Sequence, residues 1–255
     1  MTHRILILGG TIEARQLAGR LAARGNCAVT LSLAGRTESP VEQGVPVRSG
    51  GFGGADGLAA YLRKTATDLM IDATHPYAAR ISANAAEAAA RSGVAILALR
   101  RPQWEPVDSD RWTLVDDGAG AVRALGGARR RVFLALGRQE VAAFEAAPQH
   151  FYLVRSVDPV DPPLAVPEAV YMLARGPFAE GDERALLAQH RIDAVVSKNS
   201  GGVATYGKIA AARALGIEVV MVRRPLLPEA PAGQSVDDLM AMVDHHFGPV
   251  AERGV

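Results

Sequence analysis

Five short stretches of this 255-residue chain hold residues that could bind a charged ligand or move a proton. Gly9-Gly10-Thr11 directly follows the apolar run Ile5–Leu8. Two adjacent glycines let a backbone turn sharply and approach a phosphate, and the Thr11 hydroxyl adds a donor, although the full G-x-G-x-x-G spacing is absent. Glu13 would repel a pyrophosphate and suits backbone amides or a ribose hydroxyl instead. Further on, the chain reads Ser32-Leu33-Ala34-Gly35-Arg36-Thr37-Glu38-Ser39 where an NAD-selective fold places an acidic residue for the ribose 2′-hydroxyl. Arg36 among these hydroxyls suits the additional 2′-phosphate of NADP through charge-assisted hydrogen bonds; a solvated loop arginine is the alternative. Ser49-Gly50-Gly51-Phe52-Gly53-Gly54 offers backbone that can lie against a flat ligand, or simply a flexible turn. In Asp72-Ala73-Thr74-His75-Pro76-Tyr77 a polar cluster precedes a helix start, with Pro76 at a favourable first position. Lys198-Asn199-Ser200-Gly201-Gly202, with Thr205 and Lys208 beyond it, repeats that arrangement and is well placed to meet an anion.

These stretches fall between elements that alternate regularly. Residues 4–25 read as a buried strand, a tight turn and an amphipathic helix that Gly25 stops. Strands are expected at 28–34, 45–49, 68–76 and 94–99, with helices over 57–65 and from near Pro76 to Gly93. The second half repeats the grammar. A strand after Arg131 ends in a Leu136-Gly137 turn and a helix containing Glu140, strands follow at 151–157, 169–174 and 193–199, and helices cover 178–190 and 203–216. Alternating strands and helices predict a mainly parallel sheet covered on both faces. The segments from Asp68 and from Asp193 each run strand, polar turn, Ala-rich helix, glycine, strand and Arg-Arg-Pro (100–102 and 223–225), which points to two structurally similar domains. The expected division is 1–101, 102–228, and a Pro-rich linker with a final helix over 229–255.

Composition limits the classes of function. The net charge of +1 gives no global attraction for nucleic acid, membrane or an acidic partner, so an anionic ligand would be held by locally placed Arg and Lys. The single cysteine, Cys27, excludes an intramolecular disulfide and the Cys-rich zinc patterns, and reads as a small core residue. His245 and His246 suit the end of the last helix rather than a metal, and no metal site is expected. No apolar run approaches the roughly 20 residues that span a bilayer, and no secretory segment precedes the first strand, so a cytoplasmic location is expected.

Taken together, ILGGTIEARQLA, SGGFGG, DATHPYAARIS and KNSGG with its downstream RRP resemble the precorrin-6A reductase family of cobalamin biosynthesis, in order and over essentially the whole chain. The resemblance implies an α/β fold of two Rossmann-like domains with mainly parallel sheets and an interdomain cleft holding NADPH and a tetrapyrrole. It also implies reduction of one double bond of precorrin-6A to the dihydro product, precorrin-6B. Gly9, Gly10, Thr11, Glu13, Ser32, Arg36, Thr37, Ser39, Gly51, Phe52, Gly53 and Thr74 would then bind cofactor from the first half. Asn199, Gly201, Gly202 and Thr205 would do so from the second. His75, Tyr77 and Lys198 are the candidate proton donors. Arg100, Arg138, Arg155, Arg175 and Arg223 are candidates for the substrate's carboxylates. Transient contact with neighbouring enzymes of the pathway is compatible with this role.

Three other readings compete. A nucleotide-sugar glycosyltransferase also pairs two such domains, but Arg36 at the ribose edge fits it poorly. A non-catalytic NADPH sensor would normally carry an output module. A reductase of the cobalt-containing precorrin differs least, because the substrate would bring its own metal.

Overall fold

A computed structural model describes residues 2–35 and 44–248. The apolar run at the start forms β1 (His3–Leu8), which is buried on both faces. Ile5 and Ile7 pack with Leu17 and Leu21 of α1 (Ile12–Ala22), whereas Leu6 and Leu8 point the other way, towards Leu58, Leu62 and Ala88. A strand covered on both sides belongs inside a parallel sheet. The chain continues through β2 (Cys27–Leu33), β3 (Val47–Ser49), α2 (Gly54–Lys64), β4 (Leu69–Asp72), α3 (Ala79–Ser92) and β5 (Ala95–Leu99).

A second set of elements follows. These are β6 (Trp112–Val115), α4 (Gly118–Leu125), β7 (Arg131–Ala135), a 3-10 helix over Val141–Ala146, β8 (Phe151–Ser156) and β9 (Ala169–Leu173). Next come α5 (Glu180–Gln189), β10 (Ala194–Lys198), a 3-10 turn over Val203–Thr205, α6 (Gly207–Ala214) and β11 (Glu218–Val222). The chain ends its described part with β12 (Ala232–Gly233) and α7 (Val236–Phe247).

Two compact units result: one built from the chain up to Arg101 and again from Pro225 onward, the other from Pro102–Arg224. Both crossings fall inside an Arg-Arg-Pro triplet that directly follows a strand end, Leu99 of β5 and Val222 of β11. The segment 229–248 therefore belongs to the first unit. Its two-residue strand β12 extends the first sheet beside β5, with Ala98 N donating to Pro231 O at 2.9 Å. The helix α7 packs on α1, and a capping box between Ser235 and Asp238 starts it.

Each unit holds one six-stranded sheet, ordered β12-β5-β4-β1-β2-β3 and β6-β11-β10-β7-β8-β9, and every pairing is parallel. In both, the chain winds outward on one side, then returns to the other side of its central strand. Each unit is thus a doubly wound, Rossmann-like sheet whose order reverses between β1 and β4, or between β7 and β10. Ligands of such sheets bind beyond the strands' carboxyl ends at that reversal.

Three local expectations differ from the structure. The helix expected to contain Glu140 is a 3-10 helix that starts one residue later, because Glu140 turns back onto the Gly137 amide. The helix expected from Pro76 begins at Ala79, since residues 75–78 form a separate turn in which Ala78 N donates to His75 O. Cys27 is half-buried at the rim of the core rather than inside it. Among the described residues, no helix is long and apolar enough to cross a membrane.

Candidate active site

At the reversal of the first sheet, Gly9 and Gly10 perform different tasks. A side chain at Gly9 would meet Leu31 Cδ1 at 2.6 Å, so its role is close packing; Gly10 has open space around it but a φ of +113°, which favours glycine. Thr11 caps α1 by accepting from Ala14 N at 3.1 Å, and its hydroxyl donates to Ala73 O at 3.0 Å. One threonine thus ties the turn after β1 to the turn after β4. Glu13, in the first turn of α1, pairs through Oε1 with Arg101 Nη1 at 2.6 Å. Its other oxygen, Oε2, is buried without a hydrogen-bond partner. A buried acceptor left in this state costs roughly 1–3 kcal/mol, and a hydroxyl donor from a ligand would satisfy it.

Ser32 is buried at the end of β2, and its carbonyl accepts from Gly9 N at 2.9 Å. Arg36, Thr37 and Ser39, expected to hold a 2′-phosphate, lie outside the described residues. The glycine-rich turn after β3 is organised by Arg48, which sequence reasoning did not single out. Its guanidinium donates to the carbonyls of Gly50 and Gly51 and stacks on the Phe52 ring, 3.7 Å from its centroid. An arginine at a strand end just before a glycine run was the available signal. Gly53 has a φ of +81°, which sets the entry into α2.

The turn after β4 rests on Asp72, a fully buried carboxylate. Its oxygens accept from Thr74 Oγ1 and Ser82 Oγ, each at 2.6 Å, and from Arg100 Nη2 at 2.7 Å. Burial alone would raise its pKa, but the Arg100 charge and the two hydroxyls outweigh burial and hold the carboxyl below its ordinary value. Thr74 is therefore occupied by Asp72, and Arg100 is committed to the same carboxylate. His75 and Tyr77 lie half-buried on the turn with ring centroids 5.6 Å apart. Tyr77 N donates to His75 Nδ1 at 3.3 Å, so the neutral ring carries its hydrogen on Nε2.

At the reversal of the second sheet, Lys198 forms an ion pair with Glu140 from the turn after β7. The residues after Lys198 also hold the backbone around them. Asn199 is buried and clamps the backbone of Trp104, accepting from its N and donating to its O, each at 2.8 Å. Trp104 Nε1 in turn donates to Gly202 O at 3.1 Å. Gly201 has a φ of +63°, and a Cβ there would lie 2.1 Å from Pro102 O. The Thr205 carbonyl accepts from Lys208 Nζ at 2.7 Å. Asn199, Gly201 and Gly202 thus help to fix the unit's own backbone, and Thr205 takes part through its carbonyl.

The candidate carboxylate-binding arginines divide sharply. Arg155 is buried, paired through both nitrogens with Glu183 and stacked on Phe178, so it is an internal support and not a surface for substrate. Its position near a strand end looked accessible in sequence, but the closure of α5 over it depends on the tertiary fold. Arg223 pairs with exposed Asp116 at 2.8 Å, Arg175 lies 4.0 Å from Asp158, and Arg138 sits half-buried beside the Gly137 turn. Among the described residues, no group of three or more His, Cys, Asp or Glu could hold a metal ion.

Fold and site together define a two-unit, doubly wound α/β protein with polar turns gathered at both sheet reversals. The family model described as Precorrin-6x reductase CbiJ/CobK matches residues 4–244, and the chain belongs to that family. It is accordingly a precorrin reductase, an oxidoreductase. The chain is 59% identical over 246 residues to a protein from Sinorhizobium sp named Precorrin-6A reductase, covering 96% of this chain and 94% of that protein. A solved structure described as CobK precorrin-6A reductase superposes with a TM-score of 0.92 at 46% identity, covering all of both chains. A Synechocystis protein named Cobalt-precorrin-6A reductase is 29% identical, over 92% of each chain.

Proposed function

We propose that this chain uses NADPH to reduce precorrin-6A to its dihydro product, precorrin-6B, acting in the cytoplasm on the metal-free macrocycle. The observation that carries the cofactor half of this reading is Glu13 Oε2, a buried acceptor without a donor beside the Gly9-Gly10-Thr11 turn. A ribose hydroxyl satisfies it. The adjacent amino terminus of α1 suits a pyrophosphate, through backbone N–H groups and the helix dipole. Ser32 lies near the end of β2 and Arg36, Thr37 and Ser39 come after it in sequence; the end of that strand meets the adenosine ribose in such sheets, and the arginine favours a 2′-phosphate. Residues 51–53 and the turn at Thr74 complete the cofactor side.

When bound, the reduced nicotinamide supplies hydride; the protein orients two flat molecules and excludes water. His75, Tyr77 and Lys198 are the groups able to give the accompanying proton. Arg138, Arg175 and Arg223 in the second unit are the arginines best suited to the carboxylates, with the first unit serving the cofactor. Precorrin-6A is favoured over its cobalt form by the 59% identity to a protein named for the former, against 29% for the latter.

The test is anaerobic mixing with precorrin-6A and either NADPH or NADH, following nicotinamide oxidation and the macrocycle spectrum together. Coupled loss of NADPH and precorrin-6A is the expected result. Preferential oxidation of NADH would overturn the 2′-phosphate assignment, and tight NADPH binding without turnover would favour a sensor.

A further inference from the structure

The two sheets can be aligned by register. Leu8 pairs with Asp72 across the first reversal, and Ala135 pairs with Ser197 across the second. Leu8 and Ala135 therefore occupy equivalent places, and the fifth residue beyond each is a glutamate, Glu13 and Glu140. Both glutamates meet a cation through Oε1, Arg101 in the first unit and Lys198 in the second.

The surroundings differ in a way that changes the function of the position. In the first unit, Gly9 and Gly10 lead into an α-helix of eleven residues, whose amino terminus suits phosphate. In the second, Leu136 replaces the first glycine, and only a 3-10 helix follows. Glu140 Oε2 accepts from Gly137 N at 3.0 Å and closes the turn upon itself. The second reversal thus lacks a phosphate cradle and presents an ammonium in its place.

A lysine side chain loses rotamer entropy when it is held in one place, and its point charge does not orient itself. Glu140 supplies a fixed counter-charge from the neighbouring strand's turn. The Lys198 side chain is only 17% exposed while that of Glu140 is 40% exposed, so the glutamate faces solvent and the lysine lies further in.

We propose that Glu140 is a positioning residue for the reduction, holding the Lys198 ammonium at the reversal of the second sheet so that its proton is delivered to one carbon of the macrocycle. This rests on Lys198 as the proton donor of the proposed reaction. One carbon of the reduced double bond gains hydride from the nicotinamide. The other gains a proton from Lys198 Nζ, and the neutral amine then takes a proton from water.

Glu140→Gln separates this role from the structural one, because the amide oxygen can still accept from Gly137 N while the charge is removed. The expected result is a kcat about tenfold lower, with KM for precorrin-6A, NADPH affinity and Tm near wild type. Glu140→Asp, which restores the charge, should recover part of that loss. The Lys198→Gln/Glu140→Gln double variant should be no slower than Lys198→Gln alone, as expected for residues acting as one unit. A wild-type kcat in Glu140→Gln beside an impaired Lys198→Gln would overturn the positioning role and leave the proton donor standing. A wild-type Lys198→Gln would remove both.

Discussion

Gly201 illustrates how a residue can be found for one reason and needed for another. Its place beside Gly202 after a lysine suggests close approach to a ligand, yet the atom it approaches is Pro102 O of its own backbone. Gly201→Ala would force a Cβ to 2.1 Å from that oxygen at a φ of +63°, combining a clash with a strained backbone. A loss of at least about 2 kcal/mol in unfolding free energy is expected, measurable by urea titration. The sequence carries glycine turns and polar strand ends visibly, because those residue types are rare outside such roles. It does not carry Asp72 or Glu140 as site residues, because each acquires its task from a partner that only the fold supplies; Arg100 meets Asp72 from 28 residues away. Asp72→Asn keeps the shape of that network and removes its charge. Since the folded pKa of Asp72 lies below its ordinary value, the stability it adds is present above about pH 4 and disappears as pH falls through the folded pKa. The variant should be less stable than wild type by roughly 1–3 kcal/mol at neutral pH. The gap between the two should narrow in thermal melts taken towards pH 3.

At the scale of elements, periodicity identifies the strands that are buried on both faces and the helices whose alanines and leucines repeat at helical spacing. It fails for β12, two residues long and held by pairing with β5, and for β6, which follows the polar segment 101–111. Neither has enough residues for a pattern; each exists because a sheet edge offers it hydrogen bonds. The same limit explains Arg155. The hydrophobic pattern of β8 says that its neighbours are buried, but α5 determines what covers the guanidinium. Glu183 in α5 joins Arg155 with both oxygens, and both side chains are nearly inaccessible. Removing one partner of such a pair leaves an uncompensated buried charge. Glu183→Ala should therefore cost about 3–5 kcal/mol, and chemical denaturation should register it. Replacing both partners, as in Arg155→Met with Glu183→Leu, should restore much of that loss. A full-length pair of melts in which the double variant is the weaker would refute the account of α5 as pinned by charge.

Across the whole molecule, the buried charges of the two units set different pH windows but the same direction. Asp72 in the first unit makes the fold weaken in acid. Lys208 in the second weakens it at neutrality. Its ammonium is almost completely buried on α6, donates to Thr205 O and lies 5.0 Å from the centre of the Trp104 ring. Burial, assisted by the positive charge of Arg155 and opposed in part by Glu183, brings its pKa down to about 7. An unfolded lysine titrates near 10.4. Between about pH 7 and 10, the unfolded chain therefore holds a proton that the folded chain has released, and stability rises with pH across that interval. The ceiling on this single contribution is roughly 4–5 kcal/mol, from about 1.4 kcal/mol for each pKa unit. Tyr152, whose pKa is pushed up to about 12 by burial, opposes the trend once unfolded tyrosine ionises near pH 10. The useful comparison consequently lies between pH 6 and about 9, below the ordinary tyrosine range. Urea unfolding of the wild type should show stability increasing from pH 7 to 9, while Lys208→Met should be nearly flat there and at least as stable as wild type at pH 6. Equal slopes in the two proteins would mean that Lys208 remains charged inside the fold, with Glu183 outweighing burial.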